Sequence, residues 1–228
     1  LTGRLWRGPD AALERAAEAL ARESRLPLPV ARILAARDVP AHEAAGYLDP
    51  KLRDLLPDPL SLRDMAKAAA RITTAAQAGQ RIAIFADYDV DGGASAALLI
   101  DWLRQQGREA TLYIPDRIDE GYGPNAPAIA ALAQEHDLII CVDCGTLSHE
   151  ALAAAAPRDV IVLDHHQGGE TLPPALAVVN PNRADEDGAL GHLCAAGVVF
   201  LTLVQCNRIL REGGQPQPDL IGLLEDRK

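Results

Sequence analysis

The sequence is poor in aromatic residues, in cysteine and in long hydrophobic runs, and each shortage excludes a class of protein. Only 4% of the 228 residues are aromatic whereas 41 are Ala, which favours Ala-rich helices around an aliphatic core. No run of 18 apolar residues occurs, so no membrane span is expected, and residues 1–10 lack the apolar stretch of a secretory signal. Four Cys would make a sparse disulfide framework, and we expect a cytoplasmic protein.

The charge balance is acidic. The chain has 32 Asp and Glu against 22 Lys and Arg, which gives a formal net charge of −10. A whole surface that binds polyanions is therefore not expected, because such surfaces neutralise phosphates with basic side chains. A local basic patch or a contact bridged by metal ions is compatible with this charge. Apolar residues make up 48% of the chain, which is enough for a sizeable core.

The residue pattern changes near residue 60. Before that point, helical periodicity is found in three short segments, 9–23, 29–37 and 41–48. A stretch that contains two prolines, 55–64, then interrupts the pattern. We therefore predict a small helical N-terminal extension at 1–60, followed by a larger domain at 61–228.

Within the larger domain, short apolar segments alternate with helical ones. The predicted strands are 81–86, 111–115, 137–143, 159–164 and 176–180. The predicted helices are 63–78, 93–106, 125–135, 148–156 and 192–212. This alternation indicates an α/β fold with a mostly parallel sheet and helices on both faces. Ligands bind at the carboxyl ends of the strands in such sheets, so the residues that follow the strands are the candidates for function.

Three acids follow the first predicted strand at alternate positions, Asp87, Asp89 and Asp91. In an extended segment they would share one face, where their charges repel one another unless a cation lies among them. Carboxylate oxygens are hard ligands that suit Mg²⁺ or Mn²⁺. A calcium-binding EF-hand loop would need Glu at its twelfth position, which is Leu98 here. We predict a metal site, with a solvated acidic turn as the alternative.

Two further strand ends carry residues of the same chemistry. Asp143 ends the third predicted strand, and His165 and His166 follow the fourth. An adjacent His pair can place one ring on a metal ion and the other toward a substrate phosphate. A carboxylate beside a metal-binding His, here Asp164, commonly fixes the tautomer of that His. The CxxC at 141–144 has no second CxxC to complete a zinc site, so structural zinc is not expected.

These three segments resemble the motifs of the DHH phosphoesterase family. DYDVDG is similar to its first motif, VDCG to its second and DHH to its third. IPDRIDEGYG at 114–123 and the segment at 180–200 are similar to its RecJ-type branch, the single-strand-specific exonucleases. The helical extension is also similar to the extension of that branch.

The resemblance implies a metal-dependent 5′→3′ exonuclease that hydrolyses phosphodiester bonds of single-stranded DNA in repair and recombination. It implies one or two Mn²⁺ or Mg²⁺ ions as cofactor and single-stranded DNA as partner. The residues that it implies as metal ligands are Asp89, Asp91, Asp143 and His165, with Asp87 as a ligand or close neighbour. His166 is expected to face the scissile phosphate.

Some residues allow two interpretations. Arg117 is a candidate substrate contact because Arg can bind phosphate through two donors, but a surface pair with Asp119 or Glu120 would explain it equally well. Arg183 has the same ambiguity. His136 has no motif around it and is expected at the surface.

The fourth motif of the family supplies another acid as ligand. PDLIGLL at 218–224 resembles its lead-in, but Glu225 stands where Asp is expected. We therefore expect a DHH domain that is truncated before this motif is complete, with impaired activity as one consequence. Two alternative functions stay open: a DHH phosphodiesterase of short oligonucleotides or cyclic dinucleotides, and an inactive DHH-fold scaffold.

Overall fold

The computed structural model describes residues 3, 8 and 10–224, and the chain divides into two compact units, Leu1–Pro57 and Asp58–Lys228. The helices of the first unit are α1 (Ala11–Ser24), α2 (Leu28–Ala35), α3 (Ala44–Leu48) and α4 (Leu52–Leu55). Helix α1 begins after Asp10, whose carboxylate accepts hydrogen bonds from two backbone N–H groups of the first turn. The small core of this unit consists of Leu20, Ala31, Leu34, Val39 and Ala44.

The second unit alternates strands and helices, as the sequence predicts. Its strands are β1 (Ile82–Ala86), β2 (Ala110–Tyr113), β3 (Leu138–Val142), β4 (Asp159–Leu163) and β5 (Ala177–Val179). Its helices are α5 (Met65–Ala78), α6 (Val90–Gln105), α7 (Ala126–Glu135), α8 (His149–Ala153), α9 (Ala195–Glu212) and α10 (Leu220–Leu224). A short 3-10 turn, Pro59–Ser61, lies within the stretch that was expected to interrupt the pattern.

The five strands form one parallel sheet in the order β2-β1-β3-β4-β5. The strand register places Ile84 beside Ile140 and Ile140 beside Ile161 in the middle of the sheet. The predicted α/β fold with a parallel sheet is therefore confirmed.

Both faces of the sheet are buried. The strand residues that pack with α7 and α8 include Ala83, Phe85, Ile139, Cys141, Val160 and Val162. The alternate strand residues point to the opposite face and are equally buried; they include Ile82, Ile84, Leu138, Ile140, Ile161 and Leu163. Helix α9 packs against both α5 and α6, and each of the three helices contacts a strand of this sheet. Burial on both faces explains why the strands are almost continuously apolar.

The strand order creates a crevice between β1 and β3. Helix α6 leads from β1 to β2 at one side, whereas α8 leads from β3 toward β4 and β5 at the other. Crossovers that diverge from neighbouring parallel strands leave an open crevice at the carboxyl ends of those strands, where ligands bind. The residues that follow β1 and β3 meet at this position.

His136 differs from the prediction, because it is buried rather than at the surface. It is 6% exposed at the end of α7. Its Nδ1 lies 2.9 Å from the carbonyl oxygen of Leu132, and its Nε2 lies 2.8 Å from Oγ1 of Thr111 at β2. Both ring nitrogens have partners, which explains how the ring is accommodated in the interior.

The expectations about membrane-spanning segments and about the fourth motif concern whole segments of the chain. None of the described helices combines the length and the apolar character that crossing a membrane requires. Glu225, the residue expected near the fourth motif, lies outside the described residues.

Candidate metal centre

The acidic segment after β1 turns into a helix earlier than the alternating pattern suggests. Asp89 is the N-cap of α6, and its Oδ1 accepts hydrogen bonds from the backbone N–H groups of Asp91 and Gly92 at 2.8 and 3.0 Å. Asp91 therefore lies in the first helical turn. The prediction that three acids share the face of an extended segment is wrong, because the cap at Asp89 ends the extended conformation.

Asp143 is buried with its carboxylate unpaired. It is 1% exposed, directly after β3, and its backbone has a φ of 60°, which is uncommon for a residue other than Gly. Among the described residues, neither of its carboxylate oxygens accepts a hydrogen bond, and Oδ1 of Asp87 is equally without a donor. Burial raises the pKa of Asp143 to about 8, and the charge of Asp91 and the carboxyl of Asp89, which can hydrogen-bond with the protonated form of Asp143, act in the same direction.

The candidate ligands form two groups that share Asp143. One group is Asp87, Asp89 and Asp143, and the other is Asp143, His165 and His166. Within each group the candidate ligand atoms lie within 4.8 Å of one another. The structure thus brings together five of the residues singled out in the sequence, from the ends of three different strands.

The unpaired oxygens provide a test of whether a metal ion suits this site. A buried carboxylate oxygen without a partner costs about 1–3 kcal/mol or more, so such atoms are rare unless something else compensates them. Nε2 of His165 lies 3.3 Å from Oδ1 of Asp143 without the geometry of a hydrogen bond. Oxygen and imidazole ligands of this kind suit Mn²⁺ or Mg²⁺. The residues present therefore fit a divalent cation.

Asp91 connects this site to helix α9. Its Oδ2 accepts a hydrogen bond from the backbone N–H of Ala195 at 2.7 Å, and its Oδ1 accepts one from Ala196 at 2.8 Å. An acid is favourable there because the N-terminus of a helix carries a partial positive charge. The same Oδ2 lies 3.6 Å from Nε2 of His165. Asp91 is thus adjacent to a candidate ligand, and its own role as a ligand stays a prediction.

Asp164 holds His166, the ring expected to face the phosphate, whereas the sequence suggested a carboxylate that fixes the metal-binding His. Its Nδ1 lies 2.8 Å from Oδ1 of Asp164, and its Nε2 lies 3.3 Å from the hydroxyl of Tyr122. Burial alone would raise the pKa of Asp164, but hydrogen bonds from Thr146 and His166 outweigh it and lower that pKa. Burial would lower the pKa of His166, but the hydrogen bond to Asp164 outweighs it and raises that pKa.

Three polar residues near the His pair were missed in the sequence. Thr146 donates its hydroxyl to Asp164, and Asn180 and Asn182 donate their side-chain amides to the backbone carbonyls of the His residues. Each follows β3 or β5 closely. The rule that functional residues follow the strands could have identified them, and Asn180 and Asn182 also open the segment 180–200 that resembles the RecJ-type branch.

Arg117 and Arg183, which the sequence left as either phosphate contacts or surface ion pairs, lie in different surroundings. The guanidinium carbon of Arg117 lies 5.4 Å from the ring centroid of Tyr88, and Glu120 accepts hydrogen bonds from the Tyr113 hydroxyl and a backbone N–H. Arg183 is 8% exposed and forms ion pairs with Asp64 and Asp185 at 2.9 Å each. Arg183 therefore has a structural role within the second unit.

Comparisons with known proteins identify relatives of the chain. A family model described as "DHH family, N-terminal domain" matches residues 81–224. The chain is 37% identical over 175 residues to the single-stranded-DNA-specific exonuclease RecJ of Bacillus subtilis, covering 75% of this chain and 22% of the relative. It is 36% identical over 210 residues to the enzyme of the same name from Dickeya dadantii, covering 88% of this chain and 36% of the relative.

Solved structures show the same similarity. A crystal structure of exonuclease RecJ bound to manganese is 36% identical, with a TM-score of 0.61, and the match covers 72% of this chain and 40% of that chain. RecJ from Thermus thermophilus in complex with Mn²⁺ is 30% identical, with a TM-score of 0.69, and the match covers 94% of this chain and 29% of that chain. The chain spans 22% and 36% of the length of the two curated relatives.

Proposed function

The chain belongs to the DHH family, and from this premise we propose that it forms the catalytic N-terminal part of a metal-dependent nuclease that degrades single-stranded DNA from the 5′ end toward the 3′ end. The observation that carries the proposal is the pair of ligand groups that share the buried, unpaired Asp143 in the crevice between β1 and β3. The relatives named RecJ are single-stranded-DNA-specific exonucleases, which supports the substrate. We propose the same role in DNA repair and recombination, and a cytoplasmic location.

The positions of the candidate ligands indicate which residues would hold the divalent cations. Asp87, Asp89, Asp143 and His165 would hold one or two divalent cations, with Asp91 next to His165 as a further proposed ligand. Bound divalent cations activate water and offset the charge that develops on a phosphate during hydrolysis.

His166 is proposed to contact the scissile phosphate. Asp164 occupies its Nδ1, so its Nε2 stays available on the side of the ring that faces the Tyr122 hydroxyl. When protonated, Nε2 can donate a hydrogen bond to a phosphate oxygen, and the raised pKa of His166 favours that form.

Arg117 is proposed to contact a phosphate of the DNA strand. The edge-to-face pair of Tyr88 and Tyr122 lies between its guanidinium and the ring of His166. A cation over an aromatic ring keeps its donors in the plane of the guanidinium free for phosphate oxygens. An Arg117→Lys variant is expected to raise the KM for DNA more than it lowers kcat.

We retain the domain division 1–60 and 61–228 as a proposal. The two compact units, Leu1–Pro57 and Asp58–Lys228, support a helical extension followed by a DHH domain.

Degradation of end-labelled DNA tests the proposed function. With Mn²⁺, the chain is expected to shorten a single-stranded oligonucleotide from its 5′ end and to leave a duplex intact. Asp143→Ala should abolish this activity, whereas the matched control Asp101→Asn, which removes a carboxylate in the second half of α6, should retain it. Equal degradation by both variants would overturn the assignment of the site.

The two alternative functions give different results in the same assay. A phosphodiesterase of short oligonucleotides or cyclic dinucleotides would hydrolyse those substrates faster than a long single strand. An inactive scaffold would degrade neither substrate. Hydrolysis rates on a dinucleotide, a cyclic dinucleotide and a long single strand at equal concentrations distinguish these functions.

A further inference from the structure

Asp164 is the centre of a buried hydrogen-bond network behind His166. It is 1% exposed and accepts five hydrogen bonds. Two come from Thr146, through its backbone N–H at 3.0 Å and its hydroxyl at 2.6 Å. The others come from the backbone N–H of His165 and from both the backbone N–H and the ring Nδ1 of His166.

Asn180 closes this network into a ring. Its Nδ2 donates one hydrogen bond to Oγ1 of Thr146 and another to the carbonyl oxygen of His166, both at 2.8 Å. Its Oδ1 accepts a hydrogen bond from the backbone N–H of Asn182 at 2.8 Å, which fixes the orientation of the amide. Asn180 is fully buried, so all of these partners lie within the protein.

The direction of every bond in the ring is determined. An amide nitrogen has two hydrogens, and Asn180 uses both. A hydroxyl has one hydrogen, so Thr146 accepts from Asn180 and donates to Asp164. The carboxylate of Asp164 can only accept while it is ionised, so Nδ1 of His166 must donate to it.

We propose that Thr146 and Asn180 are positioning residues that hold the imidazole of His166 with its Nδ1–H on Asp164 and its Nε2 directed at the substrate. The proposal rests on the proposed function, in which His166 contacts the scissile phosphate. Rotation of this ring would break its bond to Asp164, and displacement of its backbone would break the bond to Asn180. Neither Thr146 nor Asn180 forms a described hydrogen bond with Asp87, Asp89 or Asp143.

The test compares Thr146→Val with Thr146→Ser in the full chain loaded with Mg²⁺. The first variant removes the hydroxyl and keeps the shape of the side chain, whereas the second keeps the hydroxyl. At a pH where the His166 ring is neutral, its ¹⁵N spectrum is expected to show the Nδ1–H tautomer in the unaltered protein and in Thr146→Ser. In Thr146→Val it should show a mixture of tautomers.

Two further measurements distinguish a positioning role for Thr146 and Asn180 from a disruption of the whole site. Loss of one hydrogen bond to a charged group predicts that kcat on single-stranded DNA falls about ten-fold in Thr146→Val, with KM little changed. The affinity for Mn²⁺, measured by calorimetry, should stay within about two-fold of the unaltered value, because a hydrogen-bond network apart from the carboxylates is being changed. Asn180→Asp, which removes the donor and keeps the shape, should give the same ring signature if Thr146→Val does not fold.

The outcomes distinguish failure of the positioning role from failure of the proposed nuclease function. A His166 ring spectrum in Thr146→Val that matches the unaltered protein would overturn the positioning role. A joint loss of Mn²⁺ affinity and of the tautomer would also overturn it, because the effect would then extend to the whole site. If the ring spectrum responds as expected but the unaltered protein degrades no DNA, the proposed function fails and the positioning of His166 stands.

Discussion

Gly92 packs so closely against Asp87 that a Cβ atom built on it would lie 2.4 Å from the Asp87 carbonyl oxygen. Only Gly allows α6 to begin directly against the end of β1. The close approach places Asp89 and Asp87, which lie between these elements, in the crevice with Asp143.

Gly92→Ala is therefore expected to destabilise the protein by about 1–3 kcal/mol, because the added methyl group forces backbone apart. Gly93→Ala is the matched control, since a Cβ there meets nothing within 4 Å. In the first turn of a helix that control should be neutral or slightly stabilising. Urea unfolding measures both variants, and equal stability of the two would contradict the close approach.

The metal-free protein is expected to lose stability as the pH rises from about 4 to 8. The pKa of Asp143 is about 8 in the folded protein, compared with about 3.9 in an unfolded chain. Between these values the folded state binds more protons than the unfolded state, so the free energy of unfolding falls as the pH rises. Carboxyls with lowered pKa values, such as Asp164, act in the opposite sense but below about pH 4.

Asp143→Asn is the variant that checks this pH dependence. It removes the buried charge, so at pH 8 without metal it should stabilise the protein by about 1–3 kcal/mol. Urea unfolding between pH 5 and 8 should show a shallower slope for the variant. Parallel slopes for the two proteins would contradict the raised pKa of Asp143.

Binding of Mn²⁺ is expected to release about one proton at pH 6.5, because Asp143 must ionise to act as a ligand. The affinity should consequently increase with pH up to about 8. Calorimetry in buffers of different ionisation enthalpy measures the number of protons released. Asp101→Asn should behave like the unaltered protein, whereas binding without proton release would exclude Asp143 as the titrating ligand.

Arg183→Lys is expected to destabilise the protein by about 2–4 kcal/mol. The planar guanidinium of Arg183 pairs with Asp185 through two nitrogens and with Asp64 through a third. Lys keeps the charge but has a single ammonium group, so it cannot maintain the hydrogen bonds to Asp185, Asp64 and the Val178 carbonyl together. The control Arg158→Lys changes an exposed ion pair and should cost less than about 1 kcal/mol. Thermal unfolding of the two variants provides the comparison, and equal melting temperatures would contradict a structural role for Arg183.

The strands and the edge of the sheet that carries the site could be predicted from the sequence. Buried parallel strands are continuously apolar, and Asp143 and His165 stand at the ends of two of them. The turn of Asp91 away from the extended segment could not be predicted from alternation, because the helix cap at Asp89 overrides that pattern. Asn180 and Thr146 were missed because their contact joins residues 34 apart in sequence, where no local periodicity records it.

The hydrogen bonds between Asp91 and the start of α9 join residues 104 and 105 positions apart. The candidate ligands themselves come from the ends of β1, β3 and β4, all of which precede α9 in the chain. On a ribosome, a nascent chain would therefore hold all of the candidate ligands before α9 emerges, and Asp91 would gain its two backbone partners only afterwards. The fixing of Asp91 beside His165 would then be a late event in folding, because the N–H groups that hold it belong to the last long helix of the described residues.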